Sequence, residues 1–447
     1  MHSYLASIPL APSLLGVAIL ICLGIYIRSS IRTRAQYNKF KHAYSTHPAT
    51  TTYQNEKQRA PEPDSYPPIA PLSNFNWETT PPIAIRPFKP KYHLTMAIST
   101  LNPSELIPMD KTYKERLALR KSLLASHPGV VRALNTSRDT PERNARIREA
   151  LCEWYAFILG EYLPSRYPSM FRLLPGEKSE EGTVLENSVT GVKACIDPEV
   201  VLRSLSIGGK DEDGSLLYLM DILSAYIDED FLILFPNPSP STASSDDGIP
   251  YTLQLYNTYY PAGFNPREKL GLPLANIHTP VPGYKEKLEK SMDRFFAKLE
   301  VGKFVLRANW SIMTPGARLF AAFGGLHDHS PEDFDAKKKG KGVGEGEGEG
   351  EGNKEAMEEE TMDVEGFDGS DTFLRCERQT LHRLPKSKAL VFAFHTYAYP
   401  IKDVRDEGLG EVMAVAIDGL KEGNVPGIHA YKRGMYWGEA VKKFLRS

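Results

Sequence analysis

The order in which helical and strand periodicities follow one another constrains this chain more than any single motif. Helical spacing rules the first part of the body. Tyr113, Leu117 and Leu124 line one face of a helix predicted over 111–126. Ile147, Leu151, Tyr155, Ile158 and Tyr162 stripe a second helix, with Thr140 as its cap and Pro141 in its first turn. Strand patterns then appear at 216–220, 230–235 and 251–256, give way to helix, and return at 303–310, 373–381 and 389–397. Two more helices, predicted over 408–420 and 434–445, are expected to pack across the sheet. Helices, then strands, then helix, then strands argue for an α+β fold rather than an alternating parallel sheet. No internal repeat is visible.

Three segments stand outside this body. Residues 8–27 carry no charge over a length that can cross a bilayer. Arg28, Arg32, Arg34, Lys39 and Lys41 follow, whereas only the amino terminus and His2 precede. The positive-inside bias therefore makes 1–35 a single transmembrane anchor with the C-terminal domain in the cytosol. A cleaved signal peptide, which wants a basic n-region and a shorter apolar run, ranks second; under it Asn135 and Asn309 become potential glycan sites. Residues 36–90, rich in Pro, Ser and Thr, read as a linker. From 331 to 371 the chain runs through Lys-Gly and then Glu-Gly repeats that cannot bury enough apolar area to order themselves, so a disordered acidic insert is expected. Its glycines make no phosphate cradle, because no G-x-G-x-x-G joins a strand to a helix. His327-Asp328-His329 at its edge is either a transition-metal site or an ordinary exposed loop. What remains is one domain, 91–447, large enough for a core that encloses a ligand.

Charge and cysteine content exclude several functions. With 54 Lys and Arg against 56 Asp and Glu, and no basic tract with interleaved aromatics, nucleic acid is not an expected partner. Cys22, Cys152, Cys195 and Cys376 are far apart and form no C-x-x-C pair, so no zinc site or cysteine-held iron–sulfur cluster is readable. Cys22 lies in the predicted membrane span, and the other three read as buried or shielded thiols in a reducing compartment.

The stretch Asn276-Ile277-His278-Thr279-Pro280-Val281-Pro282-Gly283-Tyr284 offers a candidate metal ligand. Pro280 and Pro282 fix φ and push their preceding residues toward extended geometry, so His278 sits on a stiff loop. Upstream, Asn265-Pro266-Arg267-Glu268 reads as a cap, a proline at the first helical position and a capping-box acid, with Gly271 ending the helix. Downstream, Tyr284, Leu288, Phe295, Phe296 and Leu299 predict a helix over 283–299. Local sequence leaves two roles open for His278: an axial ligand, or a histidine that only hydrogen-bonds the loop backbone.

Several blocks decide how that loop is read. Met109-Asp110-Lys111-Thr112-Tyr113 with Arg116 and Arg120, Leu163-Pro164-Ser165-Arg166-Tyr167-Pro168, and Glu268-Lys269-Leu270-Gly271 come first. Ile277–Tyr284, Arg307-Ala308-Asn309-Trp310-Ser311 and Arg375-Cys376-Glu377-Arg378-Gln379-Thr380-Leu381 with Arg383-Leu384-Pro385 follow. In order and spacing they resemble the heme-dependent oxidative N-demethylase α-subunit family from about 91 to 397; the apolar N-terminus and the acidic insert depart from it. The resemblance implies a PAS-like α+β domain enclosing heme b, with His278 as the proximal iron ligand. It implies oxidation of a small or secondary amine at the carbon next to nitrogen, releasing the demethylated amine and formaldehyde. No flavin or NADPH fingerprint is readable, so the electrons are expected from a separate reductase.

On the strand predicted over 373–381, Arg375, Glu377 and Gln379 share one face and Leu374, Cys376, Arg378 and Thr380 the other. A buried arginine needs an anion, so Arg375 and Arg378 are candidate contacts to heme propionates, with Glu377 as the competing internal partner. Tyr259 and Tyr260 could face the pocket or simply fill the core. A second function class stays in view: a PAS-like heme- or ligand-binding sensor without turnover, since fold alone does not separate sensing from catalysis.

Overall fold

The computed structural model describes residues 65–176, 182–209, 211–237, 248–261, 265–314 and 361–447. The apolar stretch 8–27, His327-Asp328-His329 and residues 331–360 of the insert lie outside them. Among the described residues no helix is long and apolar enough to cross a membrane.

The strands are β1 (Ser99–Leu101), β2 (Arg132–Leu134), β3 (Phe171–Pro175), β4 (Thr183–Asn187), β5 (Lys193–Cys195), β6 (Asp230–Pro236) and β7 (Tyr251–Asn257). After them come β8 (Phe304–Met313), β9 (Phe373–Arg383) and β10 (Leu390–Pro400). Seven build one antiparallel sheet in the order β1-β8-β9-β10-β6-β7-β2; β3, β4 and β5 form a second, small sheet. The α+β class expected from the sequence is what the chain adopts.

The longer helices are α1 (Tyr113–Ser126), α2 (Pro141–Ala156), α3 (Pro198–Ile207) and α4 (Glu212–Tyr226). Residues 216–220, expected as a strand, lie inside α4. The Asp211 side chain caps this helix by accepting from Gly214 N, and Leu216, Leu219, Met220 and Leu223 are buried at helical spacing. A short apolar run carries no period of its own, and here the cap decides it. The stripe on α1 keeps Tyr113 and Leu117 as expected but ends on Leu123, which is buried, rather than on Leu124, which is not.

Between β7 and β8 the chain makes four short helices: α5 (Pro266–Lys269), α6 (Leu274–Ile277), α7 (Tyr284–Lys287) and α8 (Glu289–Lys298). The single helix expected over 283–299 is thus split at Leu288, whose φ of −121° leaves the helical region. At the C-terminal end, α9 (Ile401–Asp406), α10 (Gly410–Glu422), α11 (Ile428–Tyr431) and α12 (Gly434–Arg446) follow β10.

Because paired residues of an antiparallel ladder point to the same side, the register assigns the two faces of the large sheet. One face carries Phe304, His382, Val391, Ala393, Phe231 and Ile233, buried against α2 and α4. On the same face, Trp310, Ile312, Leu374 and Cys376 are buried against α10 and α12, so the C-terminal helices do pack across the sheet. The opposite face carries the row Arg307, Gln379, Phe394 and Asp230 between the rows Asn309, Glu377, Thr396 and Val305, Leu381, Phe392, Leu232.

Residues 65–90 of the proline-rich stretch lie on the body. Tyr66 stacks on Phe157 at 3.5 Å, Phe88 meets the Trp310 ring edge-on, and Arg86 pairs with Glu407 at 2.6 Å. Beyond it, Tyr92 N donates to Gly419 O at 3.0 Å and Leu94 N to Asn424 Oδ1 at 2.7 Å. This strap passes against α10, where Gly419 has no room for a Cβ because of the Pro90 carbonyl.

Candidate functional site

Among the described residues, the opposite face of the sheet is only partly covered. Helices α6 to α8 bury Leu234, Leu381 and Leu390 at one end of it. Beyond that end Leu232, Val305, Arg307, Asn309, Gln379 and Phe392 remain partly exposed, although they lie on central strands. Half-open side chains on one sheet face leave room beside it, and this open face, the trough, carries apolar rings and aliphatic groups along one flank and polar groups along the other.

His278 belongs to its wall. It is the C-cap of α6, where its N–H donates to Leu274 O at 3.0 Å and its Nδ1 lies 2.8 Å from that same oxygen. A carbonyl can only accept, so Nδ1 carries the proton and the lone pair is left on Nε2. No hydrogen bond to Nε2 is seen among the described residues. The ring stacks on Tyr284 at 4.6 Å and 11°, which fixes its plane. Burial, aided by the Lys269 and Arg307 charges and opposed by the Leu274 bond, lowers its pKa to about 4, so the ring is neutral at physiological pH. Gly283, at φ +72°, makes the turn between this loop and α7, and a side chain there would run into Val425. The α5 cap is seen through Asn265 Oδ1, which accepts from Arg267 N at 3.0 Å.

The two arginines singled out from the strand pattern lie on opposite faces of β9. Arg375 is on the trough side, where its Nη2 donates to Tyr260 O at 2.5 Å, Glu377 Oε1 at 2.9 Å and Thr396 Oγ1 at 3.2 Å. Arg378 is on the far side and gives Nη1 to Leu106 O at 3.0 Å and Nη2 to Glu105 O at 2.6 Å. The structure therefore brings Arg375 and His278 to one face and does not bring Arg378 there. Glu377, weighed as the internal partner, takes that role, and its second oxygen accepts from Gln379 Nε2 at 2.8 Å.

Sequence reasoning missed two cations beside the trough. Arg307 is near enough for its charge to lower the His278 pKa, and its Nε is sealed from solvent without a partner among the described residues. Lys432, just after α11, reaches Asn309 Oδ1 at 3.1 Å and the Trp310 carbonyl beyond the end of the β1 pairing. Burial lowers its pKa to about 8, the nearby Glu377 opposing. The one signal available for Arg307 was its place between Val305 and Asn309 on alternate strand positions; Lys432 left none.

At the end of the sheet a second polar centre is fully enclosed. Arg120 Nη1 meets Asp230 Oδ1 at 2.6 Å with both side chains at 0% exposure, and Asp230 Oδ2 accepts Tyr259 N and Tyr260 N at 2.9 and 2.8 Å. Arg116 Nε meets Asp228 at 2.8 Å, and His395 lies 3.3 Å from Glu229. Burial raises Asp228 and Asp230 and lowers His395 against the pull of these partners. Tyr259 and Tyr260 are buried under Arg120 and Arg116, so they belong to this centre.

These residues fit a heme. Nε2 is a single neutral nitrogen donor, the half-open Leu232, Val305 and Phe392 supply an apolar floor, and Arg307 is a guanidinium without an anion. Among the described residues no group of three or more His, Cys, Asp or Glu is arranged to hold a metal ion, and Cys152, Cys195 and Cys376 are free. A family model described as haem-dependent oxidative N-demethylase, alpha subunit-like, matches residues 97–442. No curated protein matches the chain.

Proposed function

This chain belongs to the haem-dependent oxidative N-demethylase, alpha subunit-like family, and from that premise we propose that it binds heme b in the trough and demethylates a small or secondary amine. Heme, when bound, supplies the oxidation of the carbon next to nitrogen, with electrons from a separate reductase. The chain's own residues bind and orient. His278, held by Leu274 and Tyr284, would bind the iron, and the Leu274 carbonyl selects the tautomer that leaves Nε2 free to do so, as backbone carbonyls do for metal-bound histidines. The apolar floor excludes water from the reacting carbon. Arg375, steadied by Glu377 and Thr396, gives the trough a fixed polar wall, while Arg378 supports the sheet from behind.

A PAS-like architecture is supported by strand order. Counted from β6, the central strands run second, first, fifth, fourth, third, all antiparallel, with the helices α5 to α8 between the second and third. Sensors use such domains as well, so turnover separates the readings: an enzyme consumes electrons and releases formaldehyde, a sensor stops at binding. The boundaries proposed are an anchor at 1–35, a linker at 36–90 that is a free tether only up to 64 because residues 65–90 rest on the body, and a domain at 91–447, with a single-pass anchor leaving the domain in the cytosol; protease protection in sealed membranes tests that orientation.

The observation that carries the proposal is the His278 imidazole with its Nδ1 bonded and its Nε2 free beside the open sheet face. Its test is the absorption spectrum of the full chain purified with heme supplied, compared with His278→Ala. A Soret band that is lost or shifted in the variant supports the ligand assignment. Identical Soret bands in both overturn it, and no band in either overturns the heme reading.

A further inference from the structure

Arg307, partly exposed but with its Nε sealed, and Lys432, buried, lie beside the same trough, and neither is ion-paired among the described residues. Holding an unpaired charge away from water costs several kcal/mol, so an arrangement of this kind persists where something else compensates it. The one carboxylate near both, Glu377, attracts them without bonding either. Glu377 commits one oxygen to Arg375 at 2.9 Å and the other to Gln379 at 2.8 Å. Lys432 has only neutral acceptors, Asn309 Oδ1 and the Trp310 carbonyl. Arg307 Nε has no acceptor among the described residues, and this residue shares its sheet face with Gln379 and places its charge within reach of His278. The arginines picked from the sequence are, by contrast, already satisfied: Arg375 by three acceptors and Arg378 by two carbonyls.

On the reading that the trough holds heme, we infer that Arg307, with Lys432 beside it, receives the carboxylates of that group. Arg307 supplies the directional bond, because a guanidinium can offer two parallel N–H donors to one carboxylate, and Lys432 supplies a second positive charge. The same chemistry would bind a small free carboxylate, and the comparison below tells the two sources apart.

The test is a spectroscopic titration of the heme-depleted full chain in detergent with heme and, separately, with heme dimethyl ester, which keeps the ring and iron but has no carboxylate charge. The wild type is expected to hold heme about 10- to 100-fold more tightly than the ester, the range for one or two charge-assisted bonds. In Arg307→Gln that preference shrinks by at least about 10-fold, while affinity for the ester stays at the wild-type value, which also shows that the variant is folded. Lys432→Met gives a smaller loss in the same direction and serves if Arg307→Gln does not fold. A wild type that binds heme and ester alike overturns the inference and leaves the heme reading standing, as does an Arg307→Gln variant that keeps the full preference. Absence of binding by the wild type to either form overturns both.

Discussion

Removal of Arg120 tests how the enclosed charge centre supports the trough. The Arg120–Asp230 contact is 2.6 Å with both side chains at 0% exposure, and Asp230 also grips the amides of Tyr259 and Tyr260. Tyr260 in turn presents its carbonyl to Arg375 on the trough face. In Arg120→Met the two amide bonds remain but the cation is gone, and a carboxylate with no counter-charge is left in the interior. Breaking such a pair from one side costs about 3–5 kcal/mol, and the lost stacking on Tyr259 adds about 0.5–2 kcal/mol. The loss has a pH signature. Burial already raises the Asp230 pKa against the pull of Arg120 and the two amides. Without Arg120 it rises further, so the folded protein keeps a proton that the unfolded chain gives up above about pH 4. Stability then falls as pH rises from the unfolded toward the folded pKa, because the native state binds more protons in that window. Urea unfolding at pH 5 and pH 8 should show a deficit of about 4–7 kcal/mol at pH 8 that narrows at pH 5. Adding Asp230→Asn should recover part of it at pH 8 by removing the stranded charge. A deficit under about 1 kcal/mol, independent of pH, would refute the reasoning by showing that Asp230 does not depend on Arg120.

His382 should tolerate loss of its nitrogens. Both are sealed without partners, the ring stacks on Phe304 at 4.6 Å and 9°, and burial lowers its pKa to about 3. The unfolded chain therefore binds more protons between pH 6.5 and about 3, and stability declines as pH falls through that window. His382→Phe should raise stability by about 1–3 kcal/mol and remove this histidine's share of the acid sensitivity; a lowered melting temperature would show that the nitrogens have a partner. Gly419→Ala places a methyl against the Pro90 carbonyl and should cost about 1–3 kcal/mol. Limited proteolysis should then cut the strap within 65–94 faster than in the wild type; equal rates would mean that α10 does not hold it.

What the sequence revealed depended on whether the signal was local. The stripe from Ile147 to Tyr162, which starts on α2 and runs past its end at Ala156, is fully buried, because five apolar residues at one spacing leave no other face to turn inward. Five of the six expected strands appear within a few residues of their expected bounds, and the sixth is part of α4, whose Asp211 cap outweighs a pattern too short to carry a period. The small sheet β3–β5 went unseen because its residues alternate weakly and Leu173 is exposed. At the site, His278 announced itself through its prolines. Arg307 and Lys432 lie 125 positions apart, and only the way the C-terminal helices return to the β8 edge makes them neighbours.

The strap has a consequence for the order in which the molecule can be finished. Arg86 bonds Glu407, which is 321 positions later, and Leu94 bonds Asn424, which is 330 positions later. During synthesis the strap leaves the ribosome long before the surface it rests on exists. Phe88 and Tyr92 then wait without cover while the sheet and its helices are made. Seating the strap is thus the closing act of folding, and a nascent chain stalled before α10 would have its sheet complete and its lock still open.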